Sequence, residues 1–255
     1  MNLKETLNNM SREEILARLN TDEDYYGDFG KQFLSNSDIS KLIKNPEEFH
    51  KPQEQHLNLV LGAAFHTMVL EPEKMVNFDI VDSSSRYTKK YKEAAQGEIK
   101  LLKSEVEHLE ALQEKLYGNS LLMGIMKGDN VEYEVPIYGE VCGEMWKGKA
   151  DILNHDDRLI IDIKTTSDIS KFASSAKRYN YDSQAFIYRS LFGYDMVFVV
   201  IDKKSKQLGF YDCSQNFYAN GKEKVVEAVY AYRMFFKDQA KEEFNWSEYL
   251  ITETL

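Results

Sequence analysis

The sequence predicts an α+β fold in which helices flank a mixed β-sheet. Segments with helical periodicity occupy most of the first 125 residues, three strand-like segments then follow in quick order, and two helices, a hairpin and a long helix complete the pattern. This order of elements is typical of a sheet that is covered by helices. No linker-like tract interrupts the 255 residues, so we expect one domain (1–255), with a helical N-terminal part at about 1–125 and a core at about 126–240.

Helix-start signals define the N-terminal elements. Ser11 with Glu14 and Ser104 with Glu107 have the spacing of capping boxes, in which a serine hydroxyl and an acidic side chain satisfy free amides of the first turn. Ser37 is predicted to cap a further short helix through its side chain. In chain order we expect a helix at about 12–19, a loop at 22–30, helices at 38–44 and 57–70, a short strand at 78–81, a loop with a helix at 83–97, and an amphipathic helix that opens at residue 104.

Hydrophobic periodicity and turn signals define the core elements. We expect strands at 131–139, 144–153, 159–165, 196–202 and 207–212, and helices at about 170–178, 182–192 and 214–238. Gly193 should end the second of these helices, because glycine readily adopts the left-handed conformation of a C-terminal cap. A short polar turn separates the second strand from the third, so these two strands should pair as an antiparallel hairpin.

The overall charge and the cysteines limit the functional classes. A net charge of −10 argues against a protein that coats nucleic acid passively, because phosphate attraction provides most non-specific affinity. An enzyme that holds metal ions with acids and confines its basic residues to one groove remains compatible with this charge. Cys142 and Cys213 are isolated, which excludes an iron–sulfur or zinc cluster built from cysteines alone and suits a reducing cytoplasm. No apolar stretch is long enough to cross a membrane, and the polar N-terminus does not resemble a targeting peptide.

The predicted hairpin carries the most informative residues. A turn centred between Asp156 and Asp157 places Asp151 directly opposite Asp162, with their Cβ atoms about 5 Å apart. Lys164 follows two residues after Asp162 and therefore shares its face of the sheet. Facing aspartates repel each other and are costly to bury without a partner. A bound Mg²⁺ or Mn²⁺ would relieve both effects, since hard cations prefer carboxylate ligands.

Lys164 suits a metal-dependent reaction on a phosphate. Beside a metal ion it could position or deprotonate a water molecule, or stabilise charge that develops on the phosphate. The simpler alternative is a surface hairpin whose acids and lysine face water. An Asp-x-Lys triplet is common, but the Gly-Lys-Ala-Asp strand, the separation of the two aspartates and the Ile-Ile-Asp-Ile-Lys strand together favour a catalytic site.

These residues resemble the PD-(D/E)XK nuclease superfamily, which has a restriction-endonuclease-like core, and within it the nuclease domains of the RecE (exonuclease VIII) type. Two upstream segments extend the resemblance, which covers roughly residues 25–240. Residues 34–46 are similar to the N-terminal segment of RecE-type sequences, and residues 61–72 are similar to their Gly…His helix. Asp162 stands where a glutamate is commoner in the superfamily.

The resemblance implies roles for individual residues. The catalytic residues would be Asp151, Asp162 and Lys164. The ligands of Mg²⁺ or Mn²⁺ would be His66, Asp151, Asp162 and the backbone carbonyl of Ile163. A lone histidine on an apolar helix is otherwise more often a packed core or boundary residue, and this is the alternative for His66.

Other residues are candidates for DNA binding or for support of the site. Gln184 and Tyr188 match the Gln-x-x-x-Tyr helix motif of RecB-type nucleases and lie on one helix face, where they could reach the site or the DNA, or simply pack. Arg86, Lys89 and Lys90 are interleaved with tyrosines and form the best local basic patch for DNA, with a merely solvated surface as the alternative.

Two further acids lie on the strand that precedes the hairpin. Glu132 and Glu134 alternate along residues 131–139 and could approach a second metal ion. We expect them instead to be exposed or structural.

The resemblance also implies a function and partners. The function would be metal-dependent exonuclease activity that degrades linear double-stranded DNA for recombination, as in phage-type RecE proteins. The alternatives are a structure-specific or restriction-type endonuclease on the same fold and a non-catalytic DNA-binding protein. The partners would be double-stranded DNA ends, a RecT-like single-strand annealing protein and further copies of the chain in a three- or four-membered ring. The sequence contains no P-loop motif, so unwinding would need another protein.

Overall fold

The computed structural model describes residues 9–49, 51 and 55–237, together with Leu3 and Leu7. Its helices are α1 (Arg12–Leu19), α2 (Asp22–Tyr26), α3 (Asp38–Lys44), α4 (Leu57–Leu70), α5 (Lys89–Ala95), α6 (Lys103–Tyr117), α7 (Ser120–Met126), α8 (Phe172–Arg178), α9 (Tyr181–Phe192) and α10 (Gln215–Phe236). Its strands are β1 (Ile80–Val81), β2 (Leu101–Leu102), β3 (Val131–Val141), β4 (Glu144–Asn154), β5 (Leu159–Thr166), β6 (Asp195–Asp202) and β7 (Leu208–Asp212). None of the described helices is both long and apolar enough to cross a membrane.

Strands β3 to β7 form one five-stranded sheet in chain order. The pairs β3–β4, β4–β5 and β6–β7 are antiparallel, whereas β5 and β6 are parallel and are connected through α8 and α9. The predicted α+β class and mixed sheet are therefore confirmed. The hairpin of β4 and β5 has the predicted register, with Ile152 opposite Ile161 and Asn154 opposite Leu159.

Both faces of this sheet are buried, as the alternation along β6 shows. Met196, Phe198 and Val200 pack into one core with α3, α8, α9 and α10, while Val197 and Val199 pack into the other core with α4, α6 and α7. A continuous apolar strand is expected where helices cover both faces of a sheet. The sheet thus lies between two helical layers, and these layers surround its few buried polar residues, which include Asp151 and Asp162.

The N-terminal helices follow local sequence signals closely. The helices predicted at 12–19, 38–44 and 57–70 are confirmed with these bounds. The first capping box is also present, since the Ser11 amide donates to Glu14 Oε2 at 2.7 Å and the Glu14 amide donates to Ser11 Oγ at 3.2 Å. The other predicted elements end within two residues of the observed bounds, apart from the differences below. The predicted end of the last helix and of the core, at residues 238–240, lies outside the described residues.

Two predictions near the N-terminus are wrong. The segment 22–30 is not simply a loop, because its first five residues form α2, whose first turn is capped by the Thr21 hydroxyl. Ser37 makes no side-chain capping hydrogen bond. The carboxylate of Asp38 instead accepts the amide of Ser35 at 2.7 Å, so the turn before α3 is closed by the first residue of the helix itself.

The start of α6 also differs from the prediction. The helix begins at Lys103, one residue before the predicted cap Ser104. Oε2 of Glu105 accepts the amide of Leu102 at 2.9 Å, which is the contact that had been expected of Glu107. The acidic half of a capping box is therefore present, displaced by two residues.

Candidate metal and catalytic centre

Asp151 and Asp162 lie on the adjacent strands β4 and β5 and are buried. The described β4–β5 ladder ends at the pair Ile152–Ile161, one position before the two aspartates would pair. There, Oδ2 of Asp151 accepts the backbone amide of Ile163 at 2.8 Å. The register predicted from the turn is thus correct, and it brings both carboxylates to one end of the hairpin.

His66 reaches these acids from α4 on one face of the sheet. Its Nε2 lies 2.8 Å from Asp151 Oδ2, and its Nδ1 lies 3.4 Å from Glu134 Oε1. The side chain retains 31% exposure, so His66 is not a fully packed core histidine. An imidazole at this position can provide a nitrogen ligand to a metal ion in its unprotonated form.

Glu134 belongs to the same cluster, contrary to the expectation that it is exposed or structural. It lies on β3 across from Asp151, and its φ of 52° is in the left-handed region that a glutamate rarely adopts. One ligand atom each of His66, Glu134 and Asp151 lies within 4.8 Å of the others. Glu132 is exposed, as expected, and contacts His155 at 2.6 Å.

Lys164 and Gln184 hold the carboxylate of Asp162 from two sides. The Lys164 ammonium forms an ion pair with Oδ2 of Asp162, and Gln184 Nε2 donates to Oδ1 at 2.6 Å. Burial would lower the pKa of Lys164, but Asp162 and Asp151 outweigh it and raise this pKa above its usual value. Lys164 is therefore a cation beside the acids, suited to donating hydrogen bonds to a phosphate or to a water molecule.

Burial determines the direction of the pKa shift for Asp162 and Glu134, but not for Asp151. It raises the pKa of Asp162 to about 6, although Lys164 opposes the shift. It also raises the pKa of Glu134 to about 7, against the lowering effect of His66. For Asp151 burial is outweighed by His66, which holds the pKa of this carboxyl below its usual value. Burial would lower the pKa of His66 itself, but Asp151 and Glu134 raise it to about 9.

The donor atoms of the cluster fit a hard divalent cation. Among the described side chains, Glu134 Oε1 and Asp162 Oδ2 are buried, and the groups that approach them are the His66 ring and the Lys164 ammonium respectively. The carboxylates of Glu134 and Asp151 and the imidazole of His66 lie close enough together to bind one ion, and the carboxylate of Asp162 is next to them. Such oxygen-rich sites bind Mg²⁺ and Mn²⁺. Asp162 lies outside the tightest group of three, and its direct ligation stays a prediction, as does that of the Ile163 carbonyl.

Tyr188 supports the site without reaching the acids. Its hydroxyl accepts the Lys149 amide at 3.2 Å and donates to the Lys149 carbonyl at 3.1 Å. Its ring covers Gly148 so closely that an added Cβ would lie 2.7 Å from the ring. Tyr188 therefore fixes the segment of β4 just before Asp151, and the two residues of the Gln-x-x-x-Tyr motif have different tasks.

The structure pairs one of the three residues of the predicted basic patch within the fold and leaves the other two exposed. Arg86 makes two hydrogen bonds of 2.6 Å to the carboxylate of Glu105 and a third to the Lys100 carbonyl, so it ties two segments of the fold together. Lys89 and Lys90 are exposed, and Lys89 approaches a glutamate one helical turn away at 3.7 Å. Two lysines of the patch are thus accessible to DNA, whereas its arginine is already paired.

A groove of about 600 Å³ opens beside Gln184 and was not predicted. It is lined by four lysines, five aromatic residues and a polar segment at 35–38; the lysines are Lys31, Lys41, Lys51 and Lys147, and the aromatic residues are Tyr25, Tyr26, Phe33, Phe49 and Tyr188. Lys147 is buried at its base, where the ammonium donates to the carbonyl of Tyr25 and burial lowers the pKa of Lys147 to about 8. The lining comes from segments far apart in the sequence, so no local pattern could reveal it.

A solved structure of another protein shares this architecture. In a search of solved structures, a protein from Eubacterium rectale described as a candidate exonuclease aligns with a TM-score of 0.63 and 15% identity, covering 92% of this chain and 95% of that one. A phage-related exonuclease from Haemophilus somnus aligns at 16% identity over 70% of this chain and 96% of that one, with a TM-score of 0.34 that is too low to show a common fold. Among curated proteins, none matches the chain.

A protein family matches most of the sequence. Residues 31–244 match the family described as "PDDEXK-like domain of unknown function (DUF3799)". The match includes His66, both aspartates of the hairpin and Lys164, and it confirms the predicted relationship to the PD-(D/E)XK superfamily. A specific relationship to RecE stays a prediction. The chain is a member of this DUF3799 family of PDDEXK-like domains.

Proposed function

We propose that this protein is a metal-dependent DNA exonuclease that degrades linear double-stranded DNA from its ends. The observation that carries the proposal is the cluster of His66, Glu134, Asp151 and Asp162, in which both aspartates are buried and the Lys164 ammonium lies beside them. Buried acids in this number destabilise a fold unless a cation compensates them. A protein that only binds DNA would gain nothing from this arrangement, which favours catalysis over a scaffold role.

Each side chain has a defined task in this proposal. His66, Glu134 and Asp151 would hold the ion, and Asp162 would complete the site with its orientation fixed by Gln184. The bound Mg²⁺ or Mn²⁺ would supply the charge that activates water and stabilises the phosphate during phosphodiester hydrolysis. Lys164 would donate a hydrogen bond to the phosphate or to the attacking water from a fixed position.

The groove beside Gln184 supports action at DNA ends. Lysines bind phosphates, and aromatic side chains stack on bases once these are separated from the duplex. A groove of about 600 Å³ suits a few unpaired nucleotides and is too small for a duplex. A strand end in this groove would lie next to the residue that binds Asp162, so its terminal phosphodiester could reach the cluster.

Cleavage of matched linear and covalently closed circular duplexes tests the proposal. With Mg²⁺ we expect the end-labelled linear duplex to be degraded and the closed circle to remain intact, and chelation should stop the reaction. Asp162→Ala and Lys164→Ala should each abolish cleavage while the far-ultraviolet circular dichroism spectrum stays unchanged. Cleavage of the circle would favour the endonuclease alternative, and cleavage of neither substrate would refute a nuclease.

The single-stranded DNA that this reaction would leave suggests a partner protein. Degradation of one strand exposes the other, and a RecT-like single-strand annealing protein would cover that strand during recombination. We therefore expect such a protein to co-purify with this chain when both are co-expressed.

A further inference from the structure

Helix α9 presents one face to the catalytic residues. Tyr181, Gln184 and Tyr188 are spaced at i, i+3 and i+7, so they lie along one side of the helix. Gln184 binds the carboxylate of Asp162, and Tyr188 binds the backbone of β4. Tyr181 is the member of this face whose task remains to be assigned.

The ring of Tyr181 lies against the catalytic lysine. Nζ of Lys164 is 5.0 Å from the ring centroid, within the range of about 6 Å in which an aromatic ring attracts a cation. The Tyr181 ring also stacks on the Phe198 ring, with 5.5 Å between their centroids, and lies 6.0 Å from the centroid of the Phe172 ring. Both phenylalanines are almost fully buried, so they hold the tyrosine ring in one orientation.

The start of α9 fixes the direction in which Tyr181 points. The preceding residue, Asn180, has a φ of 60°, which turns the chain sharply into the helix. Its carbonyl accepts hydrogen bonds from Asn36 Nδ2 at 3.1 Å and from Ser183 Oγ at 2.9 Å. The side chain of Lys224 also donates to Asn180 Oδ1 at 3.0 Å. These contacts support a left-handed residue that would otherwise be unfavourable.

We propose that Tyr181 is a positioning residue for Lys164. A lysine side chain has several accessible rotamers, and its ion pair with Asp162 alone does not restrict the ammonium to one place. The aromatic ring adds a second attractive contact from another direction. The two contacts together aim the ammonium at the position where the phosphate would bind. This inference rests on the proposed nuclease function.

Fluorinated phenylalanines at position 181 provide the sharpest test. Successive fluorination weakens the attraction between ring and cation with little change in ring size. Tyr181→Phe should retain most of the wild-type rate in single-turnover cleavage at saturating enzyme. Monofluoro-, difluoro- and trifluorophenylalanine should then lower that rate stepwise, by about 2-fold to 30-fold across the series. Affinity for DNA, measured in chelator, should remain constant.

A rate that does not change across the fluorinated series would overturn the proposal. Purely structural packing predicts that flat result, because all these rings stack on Phe198 alike. Tyr181→Leu should lose most of the rate, whereas Tyr230→Leu, at an exposed site on α10, serves as the matched control and should leave it unchanged.

Nuclear magnetic resonance distinguishes failure of this inference from failure of the proposed function. The ring current of Tyr181 should shift the ε-protons of Lys164 upfield in the protein without DNA. Tyr181→Phe should preserve that shift and Tyr181→Leu should remove it. Absence of the shift in the wild-type protein would refute the contact, whatever the activity. A normal shift in a protein that cleaves no DNA would instead refute the nuclease and leave the contact between Tyr181 and Lys164 in place.

Discussion

Asp162 and Glu134 carry pKa values of about 6 and 7 because burial removes water from carboxylates that face further negative charge. At the residue scale, the chain supplies only part of the compensating charge, through His66 and Lys164. A divalent cation would supply the remainder and would displace the protons that burial otherwise favours. Ion binding and deprotonation are therefore linked in this site.

Glu134→Gln tests the ligand that the sequence analysis did not select. The substitution keeps the size of the side chain but removes its charge, so we expect the Mg²⁺ concentration for half-maximal cleavage to rise about 10-fold or more. Glu132→Gln is the matched control, because it changes the other acid of the same strand outside the cluster. Calorimetric titration with Mn²⁺ should show the same contrast without DNA. If Glu134→Gln and Glu132→Gln bound Mn²⁺ with equal affinity, Glu134 would not be a metal ligand.

Turn chemistry explains why one acid pair was predicted and Glu134 was not. The turn between β4 and β5 contains ordinary polar turn residues, so the register that opposes Asp151 and Asp162 could be read directly. The turn between β3 and β4 consists of Cys142 and Gly143, which have φ values of 52° and 79°. Cysteine is uncommon in such a two-residue turn, so no familiar signal marked the hairpin. The same register reasoning would otherwise have placed Glu134 opposite Asp151.

At the element scale, α4 combines His66, a candidate metal ligand, with a glycine that packing does not require. Gly62 lies one turn before His66, on the same side of the helix, and an added Cβ there would meet no atom within 4 Å. Glycine within a helix costs about 0.5–1 kcal/mol relative to alanine, so packing alone does not account for it. Because Gly62 shares the side of the helix that carries His66, the proposed function predicts that the open space beside Gly62 belongs to the path of the substrate.

Gly62→Ala should therefore separate stability from activity. We expect the free energy of unfolding to rise by about 0.5–1 kcal/mol, because alanine favours the helix, while cleavage of linear DNA falls. Gly124→Ala is the matched control, since Gly124 also lies in a helix with no atom near the added Cβ. It should gain similar stability and keep full activity. Thermal unfolding and initial cleavage rates provide the two measurements, and full activity of Gly62→Ala would remove this position from the substrate path.

Arg86 shows what a local sequence pattern does not reveal at this scale, namely the partners that a side chain finds elsewhere in the fold. From the sequence its neighbours suggested a DNA-binding patch, but its partners Glu105 and Lys100 lie on or near α6, beyond the reach of a local window. The long helices and core strands, by contrast, were predicted well because their apolar periodicity reports burial directly. The lysine-lined groove could not be predicted, since it depends on how α2, α3 and β4 come together.

Substitutions in this region distinguish a structural arginine from DNA-binding lysines. Arg86→Ala should lower the free energy of unfolding by about 1–3 kcal/mol, because Glu105 loses a charged hydrogen-bond partner, and should leave the salt dependence of DNA binding unchanged. Lys89→Ala combined with Lys90→Ala should preserve stability and reduce the slope of log K against log salt by about 1–2. Denaturant unfolding and binding titrations at several salt concentrations measure both effects. An unchanged slope in the double variant would assign both lysines to a solvated surface.

At the scale of the whole molecule, the charge is unevenly distributed. The chain has a net charge of −10, yet four lysines line the groove beside the catalytic centre. The average field of such a protein repels DNA, whereas the groove lysines would attract a phosphate locally, in competition with the acids that pair with Lys31 and Lys51. On the proposed function, one subunit would engage a DNA end but would have little with which to retain a long duplex between successive cleavages.

Closure of several subunits into a ring would solve this problem, since a duplex threaded through a channel cannot leave sideways. Cyclic symmetry is a common way to close identical subunits, and we predict a three- or four-membered ring with basic residues toward the channel. Sedimentation equilibrium at micromolar concentration should then give three or four times the 29.7 kDa mass of one chain. Digestion of a labelled linear duplex should continue after excess unlabelled DNA is added, because the threaded substrate is not exchanged. A monomeric mass combined with immediate arrest by the competitor would contradict the ring, and retention on DNA would then have to come from the groove of a single subunit.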